Sequence, residues 1–194
     1  MSTTNRMSSK EALIALHAAR GQRDVVVTTM ATSRDWMTLP QRPLDVVFVP
    51  SAMGHATSLG LGLALAQPDR RVIVCNGDGS MLMNLGSLVS IAGAQATNLV
   101  VIVFDNGVYE VTGAQPVPAS NAVDFAAIAR GAGFPSVHEL TDFETWRGSV
   151  QSILSDAGPT FVWLRVAPVV GIPGPRSPGP ASERARRLSD ALRS

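Results

Sequence analysis

The segment from residue 71 to residue 105 most strongly limits the folds available to this chain, because it has the pattern of one strand–helix–strand unit. Residues 71–75 are rich in β-branched side chains, and residues 99–104 are six consecutive apolar residues. Both patterns are typical of strands buried in a parallel sheet. Residues 81–94 carry apolar side chains at helical spacing. The unit therefore predicts two parallel strands joined by a right-handed crossover.

The rest of the chain repeats this alternation. Strand patterns at residues 25–27, 46–49 and 161–166 alternate with helical patterns that begin near residues 8, 54, 121 and 144. Such alternation predicts an α/β fold: one doubly wound domain, here residues 8–167, with a mostly parallel sheet and helices on both faces. Five prolines lie between residues 168 and 180, so regular structure is not expected there. We predict a Pro-rich, flexible tail over residues 168–194, in which residues 182–193 could form a short basic helix.

Polar residues follow the two strands of the central unit. Gly-Asp-Gly-Ser at residues 77–80 follows the first strand, and Asp-Asn-Gly at residues 105–107 follows the second. Neighbouring parallel strands lie about 4.8 Å apart, so Asp78 and Asn106 can converge on one ion at the carboxyl edge of the sheet. Carboxylate and amide oxygens suit Mg²⁺ or Ca²⁺ and not zinc. The glycines beside Asp78 let backbone N–H groups approach a phosphate, so we interpret this edge as a metal-bridged diphosphate site.

Gly-Asp-Gly followed, after 26 residues, by Asn106 resembles the cofactor motif of the thiamine diphosphate (ThDP) enzymes. Met-Gly-His-Ala at residues 53–56 and Tyr-Glu-Val-Thr-Gly-Ala-Gln-Pro at residues 109–116 are most similar to the phosphonopyruvate and sulfopyruvate decarboxylases. The resemblance covers about residues 11–166 and corresponds to the diphosphate-binding half of that family. It implies ThDP and Mg²⁺ as cofactors.

The resemblance also implies roles for individual residues. The metal ligands would be the side chains of Asp78 and Asn106 and the backbone carbonyl of Val108. Met53 would wedge under the thiamine, and the carbonyl of Ser51 would accept a hydrogen bond from the cofactor's amino group. The full set of expected cofactor-binding residues is Thr32, Ser33, Ser51, Met53, Gly77, Asp78, Gly79, Ser80, Asn106, Val108 and Tyr109.

Four predicted site residues, Thr32, Ser33, His55 and Glu110, also have simpler interpretations. The hydroxyls of Thr32 and Ser33 could cap a helix as well as contact the diphosphate. His55 is expected to transfer a proton or bind substrate, although a single histidine at a helix start is often a surface or capping residue. Glu110 is expected to be a substrate-facing acid, with an exposed loop glutamate as the alternative. Of the two interpretations, we predict the functional one for both residues, so that His55 and Glu110 are the expected catalytic residues.

ThDP chemistry also needs a glutamate at the aminopyrimidine, which the resembled family carries on a separate pyrimidine-binding domain. The resemblance thus implies one subunit of a hetero-oligomeric 2-oxoacid decarboxylase, with a partner subunit that supplies the glutamate. The expected substrate is a small 2-oxo acid, a pyruvate with a 3-sulfo or 3-phosphono group. The alternatives are a ThDP-dependent carboligase subunit of acyloin or acetolactate type and a non-catalytic assembly subunit. A generic Rossmann-type phosphate-binding domain is disfavoured because no GxGxxG follows a first strand.

Composition excludes other classes of function. The formal net charge is only +1, and the basic residues are scattered except in the tail, so neither nucleic acid nor a membrane surface is an expected partner. No apolar run reaches 18 residues, and the first residues lack the apolar core of a signal peptide. We therefore expect a cytoplasmic protein.

Overall fold

Six parallel strands form the central sheet of the computed structural model, which describes residues 6–49, 53–120 and 122–193. The strands of the chain are β1 (Val25–Thr29), β2 (Asp45–Phe48), β3 (Val72–Gly77), β4 (Leu99–Asp105), β5 (Val108–Tyr109), β6 (Gln115–Pro116), β7 (Ser136–Leu140) and β8 (Thr160–Arg165). The sheet order is β2-β1-β3-β4-β8-β7, and each neighbouring pair is parallel. Strands β5 and β6 form a separate antiparallel pair just after β4.

Helices cover both faces of the sheet. They are α1 (Ser9–Ala19), α2 (Met30–Trp36), α3 (Ala56–Ala66), α4 (Asp78–Leu82), α5 (Gly86–Gly93), α6 (Phe125–Ala132), α7 (Phe143–Leu154) and α8 (Ala181–Arg193). Helices α1, α2 and α7 pack on one face, and α3 to α6 pack on the other. The predicted doubly wound α/β fold is therefore confirmed. In the described ranges, no helix has both the length and the apolar character needed to cross a bilayer.

Side chains of the central strands alternate between two apolar cores. Ile73 and Ile102 point into the core that contains Trp146, while Val74 and Val101 point into the core that contains Phe125. Because both faces of the sheet are covered, every residue of β4 is buried. This explains why β4 is a continuous apolar run and lacks the polar–apolar alternation of a strand with one solvated face.

The helix predicted over residues 81–94 is two helices, so that prediction is wrong in detail. The chain leaves helical structure after α4 and re-enters it at α5. In between, Asn84 Nδ2 donates to the carbonyl oxygen of Gly54 at 2.8 Å, and Ser87 Oγ donates to the Asn84 carbonyl at 2.7 Å. The break thus ties the start of α5 to the turn that precedes α3.

Strand β7 has no counterpart in the sequence prediction. Ser136, His138 and Glu139 interrupt its apolar pattern, and none of its residues is fully buried. The strand pairs with β8 and forms one edge of the sheet. Its main-chain pairing, which does not depend on apolar side chains, places it there.

Part of the predicted flexible tail forms helix α8, which lies beside the opposite edge strand, β2. Leu188 and Leu192 pack against the apolar cluster of that face. The guanidinium of Arg184 donates to the carbonyl oxygens of Val47 and Val49. Arg184 therefore satisfies main-chain acceptors at a sheet edge, where a neighbouring strand would otherwise do so. The domain boundary near residue 167 stays a prediction.

Replacing Arg184 by alanine is expected to release α8 from β2. Hydrogen bonds from a charged donor contribute about 1.5–3 kcal/mol each, so amide protection within α8 should fall by about tenfold or more. Hydrogen–deuterium exchange of the two variants measures this change. Arg193→Ala is the matched control, since its only ion pair in the described structure, with Asp190, is exposed and 3.9 Å long. Equal protection of α8 in both variants would contradict the prediction.

Candidate functional site

A cavity opens at the carboxyl ends of β1, β3 and β4. The register pairs Gly77 with Phe104, so the residues that follow these two strands emerge side by side. The predicted convergence of Asp78 and Asn106 is found, because both line this cavity. The predicted site residues on its wall are Thr32, Met53, Gly77, Asp78, Gly79, Ser80, Asn106, Val108, Tyr109 and Glu110.

Asp78 is a buried carboxylate, only 3% exposed, at the start of α4. Its Oδ2 accepts from the Gly107 N–H at 2.8 Å. The pKa of Asp78 is raised to about 7, mainly by burial and secondly by the negative charge of Asp105. Asp105 is itself buried and accepts from Trp163 Nε1 at 2.9 Å. Two adjacent buried carboxylates repel each other, and a cation beside them would relieve that repulsion.

The side-chain amide of Asn106 has a defined orientation. Its Nδ2 donates to Glu110 Oε2 at 2.7 Å, and its Oδ1 accepts from the Val108 N–H at 3.0 Å. A carboxylate can only accept and a backbone N–H can only donate, so both neighbours require the same amide orientation. Oδ1 keeps a second lone pair that can bind a cation.

The donor set fits a hard divalent cation. Within the described ranges, no group of three or more His, Cys, Asp or Glu side chains could hold a metal ion. A cation at Asp78 and Asn106 would thus depend on amide, carbonyl and ligand oxygens in addition to one carboxylate. Such all-oxygen coordination, completed by the phosphates of a substrate or cofactor, is typical of Mg²⁺.

Other residues of the cavity wall fit a phosphate group. A Cβ added at Gly77 would meet no described atom within 4 Å, so the backbone beside Asp78 is open to a ligand. Thr29 Oγ1 is buried, and its hydroxyl proton has no acceptor among the described residues. Thr29 also lines the cavity. A phosphate oxygen could accept from this hydroxyl.

Gly79 and Ser80 hold neighbouring segments of the chain close to α4. A Cβ added at Gly79 would collide with the ring of Tyr109, so the glycine permits the close approach of β5 to α4. Ser80 Oγ accepts from the Gly54 N–H at 3.0 Å. That bond holds the turn next to Met53 against the start of α4, and Met53 lies on the cavity wall.

Two predicted cofactor residues use their hydroxyls inside the protein. Thr32 lines the cavity. Its Oγ1 lies 2.7 and 2.9 Å from the carbonyl oxygens of Thr29 and Cys75, which share its single proton. Ser33 is fully buried outside the described cavity wall and donates to Thr28 Oγ1 at 3.1 Å. In this structure both residues therefore fix α2 to the sheet, and Thr29 offers the available hydroxyl. The run Thr-Thr-Met-Ala-Thr-Ser at residues 28–33 is the sequence signal that could have indicated Thr29.

Two predicted site residues, His55 and Ser51, are not among the described residues that line the cavity. The structure does not bring His55 to the described cavity wall: it is an exposed residue at the N-cap of α3, with Nδ1 3.1 Å from the Met53 carbonyl oxygen. Its proton-transfer role stays a prediction. Ser51 falls outside the described residues, so its expected carbonyl contact is untested.

Glu110 and Arg34 form an ion pair that sequence reasoning missed. Arg34 Nη2 lies 2.7 Å from Glu110 Oε1, and the Glu110 side chain is only 4% exposed. The alternative of an exposed loop glutamate is therefore wrong. These residues are 76 positions apart, and no local pattern could have linked them.

Met30 is a further cavity residue that the sequence did not single out. Its φ is +54°, in the left-handed region that residues with a Cβ rarely adopt. Strained backbone of this kind costs about 1–3 kcal/mol and concentrates at functional sites. Met30 is the first residue of α2 and lines the cavity, so this strained backbone lies at the site.

Residues 24–164 match the family described as thiamine pyrophosphate enzyme, C-terminal TPP binding domain. The matched range contains the whole Asp78–Asn106 edge of the cavity. The chain belongs to the thiamine pyrophosphate enzymes. The resemblance predicted from the sequence is confirmed, and so is the thiamine diphosphate (thiamine pyrophosphate) domain type.

Curated relatives of this thiamine pyrophosphate domain include two decarboxylases. The chain is 42% identical over 144 residues to a phosphonopyruvate decarboxylase from Streptomyces viridochromogenes. The aligned region covers 74% of this chain and 36% of that protein. It is 40% identical over 136 residues to the sulfopyruvate decarboxylase subunit beta of Methanothermobacter thermautotrophicus. That aligned region covers 70% of this chain and 69% of that protein. The chain thus spans about a third of the first relative and most of the second.

A solved structure gives the same fold. The thiamine diphosphate-dependent 4-hydroxybenzoylformate decarboxylase of Rhodococcus jostii RHA1 superposes with a TM-score of 0.72 at 23% identity, over 87% of this chain and 34% of that chain. At this identity the similarity establishes the fold of the thiamine pyrophosphate domain alone.

Proposed function

We propose that this chain is the diphosphate- and Mg²⁺-binding subunit of a two-subunit ThDP-dependent 2-oxoacid decarboxylase. The observation that carries the proposal is the meeting of Asp78 and Asn106 in one cavity, at the ends of adjacent parallel strands, in a member of the thiamine pyrophosphate family. A pyruvate with a 3-sulfo or 3-phosphono group is the proposed substrate. The two decarboxylase relatives support that choice.

The proposed metal ligands are the Asp78 carboxylate, Asn106 Oδ1 and the Val108 carbonyl. The open backbone at Gly77 and the buried hydroxyl of Thr29 would hold the diphosphate. When bound, ThDP supplies a nucleophilic carbon and a sink for the electron pair that decarboxylation leaves behind. Met53 would support the cofactor from the cavity wall, and the burial of Asp78 would keep water away from the metal.

A partner chain is part of the proposal. It would carry the pyrimidine-binding domain and the glutamate that activates the cofactor. Its support is the match to a protein named as a beta subunit, of which this chain covers 69%. His55, exposed at the start of α3, would face the substrate in the assembled pair. The cytoplasmic location stays a prediction from the sequence.

Turnover should require both chains. We expect the purified chain with ThDP and Mg²⁺ to release no CO₂ from 3-sulfopyruvate or 3-phosphonopyruvate, because the activating glutamate is absent. Adding the pyrimidine-domain subunit should produce CO₂ and the corresponding aldehyde in equal amounts. Carbon dioxide release and product NMR measure the two outcomes.

The same experiment separates the alternatives. Robust turnover by the chain alone would contradict the two-subunit proposal. A ligated hydroxy-ketone product would favour the carboligase. Failure of ThDP with Mg²⁺ to bind the assembled pair would favour a non-catalytic assembly subunit.

A further inference from the structure

The Glu110 carboxylate lies at the centre of a hydrogen-bond network on the cavity wall, next to the proposed metal ligand Asn106. Its Oε1 accepts from Arg34 Nη2 at 2.7 Å, and its Oε2 accepts from Asn106 Nδ2 at 2.7 Å. A third donor, the Val169 N–H, reaches Oε2 at 3.2 Å from the segment after β8. All these donors come from the protein, so the carboxylate is already well solvated by fixed groups.

The contact with Asn106 determines which amide atom can face a cation. A flipped amide would place Oδ1 against the Glu110 carboxylate, and it would place Nδ2 against the Val108 N–H. Both contacts would then be repulsive, because each pairs two acceptors or two donors. Only the amide oxygen can coordinate a metal ion, so the observed orientation is the one that a metal ligand needs.

Arg34 makes this arrangement possible. A buried carboxylate is costly unless it is paired and hydrogen-bonded, and Arg34 supplies the opposite charge from α2. Burial acts to lower the pKa of Arg34, but the hydrogen bonds to Asp35 and Glu110 raise it above its ordinary value. The charged guanidinium pairs with the Glu110 carboxylate, which also accepts from the Asn106 amide.

We infer that Glu110, held by Arg34, is a positioning residue that keeps the Asn106 amide oxygen turned toward the metal. The inference rests on the proposed function. It assigns Glu110 a role through Asn106, in contrast to the direct catalytic role predicted from the sequence.

The first test needs no ligand. In the ¹⁵N-labelled full chain, the side-chain amide protons of Asn106 should exchange slowly with solvent, and Asn106→Asp identifies their signals. Glu110→Ala should accelerate this exchange about tenfold or more, because a charge-assisted hydrogen bond is lost. Glu110→Gln keeps an acceptor at the same place and should give an intermediate rate. Glu144→Ala is the control, since the Glu144 side chain is 71% exposed on α7.

The second test measures binding of Mn²⁺ as a probe for the metal. Titration of Mn²⁺ in the presence of ThDP, followed by electron paramagnetic resonance, should give an affinity about tenfold or more weaker for Glu110→Ala than for the Glu144→Ala control. The assembled pair serves as the sample. Glu110→Gln, which preserves the size of the side chain, should lie between them and covers the case in which the alanine variant does not fold.

The outcomes distinguish the two proposals. Unchanged amide exchange in Glu110→Ala and Glu110→Gln overturns the positioning role, whatever the metal does. Faster exchange with unchanged Mn²⁺ affinity also overturns it, because the orientation would then not matter for the metal. Absence of Mn²⁺ binding by the wild-type pair overturns the proposed function itself.

Discussion

Replacing Asp78 by asparagine should weaken ThDP binding in the presence of Mg²⁺ by about 100-fold or more, since losing even an indirect partner of a metal ligand typically costs 10–100-fold. Asparagine keeps an acceptor for the Gly107 N–H, which now bonds Asp78 Oδ2 at 2.8 Å. The loss would therefore come from the missing negative charge and not from a collapsed turn.

Isothermal titration of the assembled pair with ThDP measures this change. The matched control is Asp190→Asn, the same chemical change at a side chain that is 68% exposed on α8. We expect the control to bind as the wild type does. Equal affinities for the Asp78 and Asp190 variants would remove Asp78 from the proposed metal site.

The same variant should also change the stability of the metal-free chain with pH. The pKa of Asp78 is raised to about 7 by burial and by Asp105, well above the value of about 4 for an unfolded aspartate. The stabilising contribution of the protonated form is complete below pH 4 and is lost as the pH rises through 7. Denaturant unfolding without metal should therefore show a smaller loss of stability between pH 4 and pH 7 for Asp78→Asn than for the wild type.

Two alanine substitutions in α3 should have opposite effects. A Cβ added at Gly60 would collide with the Val74 side chain of β3, whereas a Cβ at Gly62 would meet no described atom within 4 Å. Overpacking typically costs about 1–3 kcal/mol, so Gly60→Ala should lower the free energy of unfolding. Gly62→Ala should raise it by up to about 1 kcal/mol, because alanine favours helix over glycine.

Urea unfolding of the isolated chain measures both changes, and each variant is the control for the other. The contrast is informative because the two glycines lie only two positions apart in the same helix. A loss of stability of similar size in both variants would mean that helix packing on β3 differs from the structure described.

The helix α3 also marks a limit of sequence reasoning. Its sequence contains no charged residue, and its leucines lie on two opposite sides of the helix, so no charged face indicates which side meets the sheet. The pattern predicts that the glycines permit close approach to another element. Only the packing on β3 identifies Gly60 as the residue that does so and leaves Gly62 open.

The sequence by itself determined the strand–helix alternation and the position of Asp78 and Asn106 at the ends of adjacent parallel strands. These features follow from local patterns, because apolar runs, turn residues and short crossovers fix the order of elements along the chain. The same local logic led to the cofactor family.

Only the tertiary structure decided the contacts between distant segments. It brought Arg34 to Glu110 and oriented the Asn106 amide through the Glu110 carboxylate. It also placed Arg184 against main-chain carbonyls in and just after β2. Each of these contacts depends on where whole elements pack. A hydrogen bond between residues far apart in the sequence produces no periodic pattern of residues from which it could be predicted. The chemistry at the strand ends could thus be predicted from the chain, whereas the network that orients it could not.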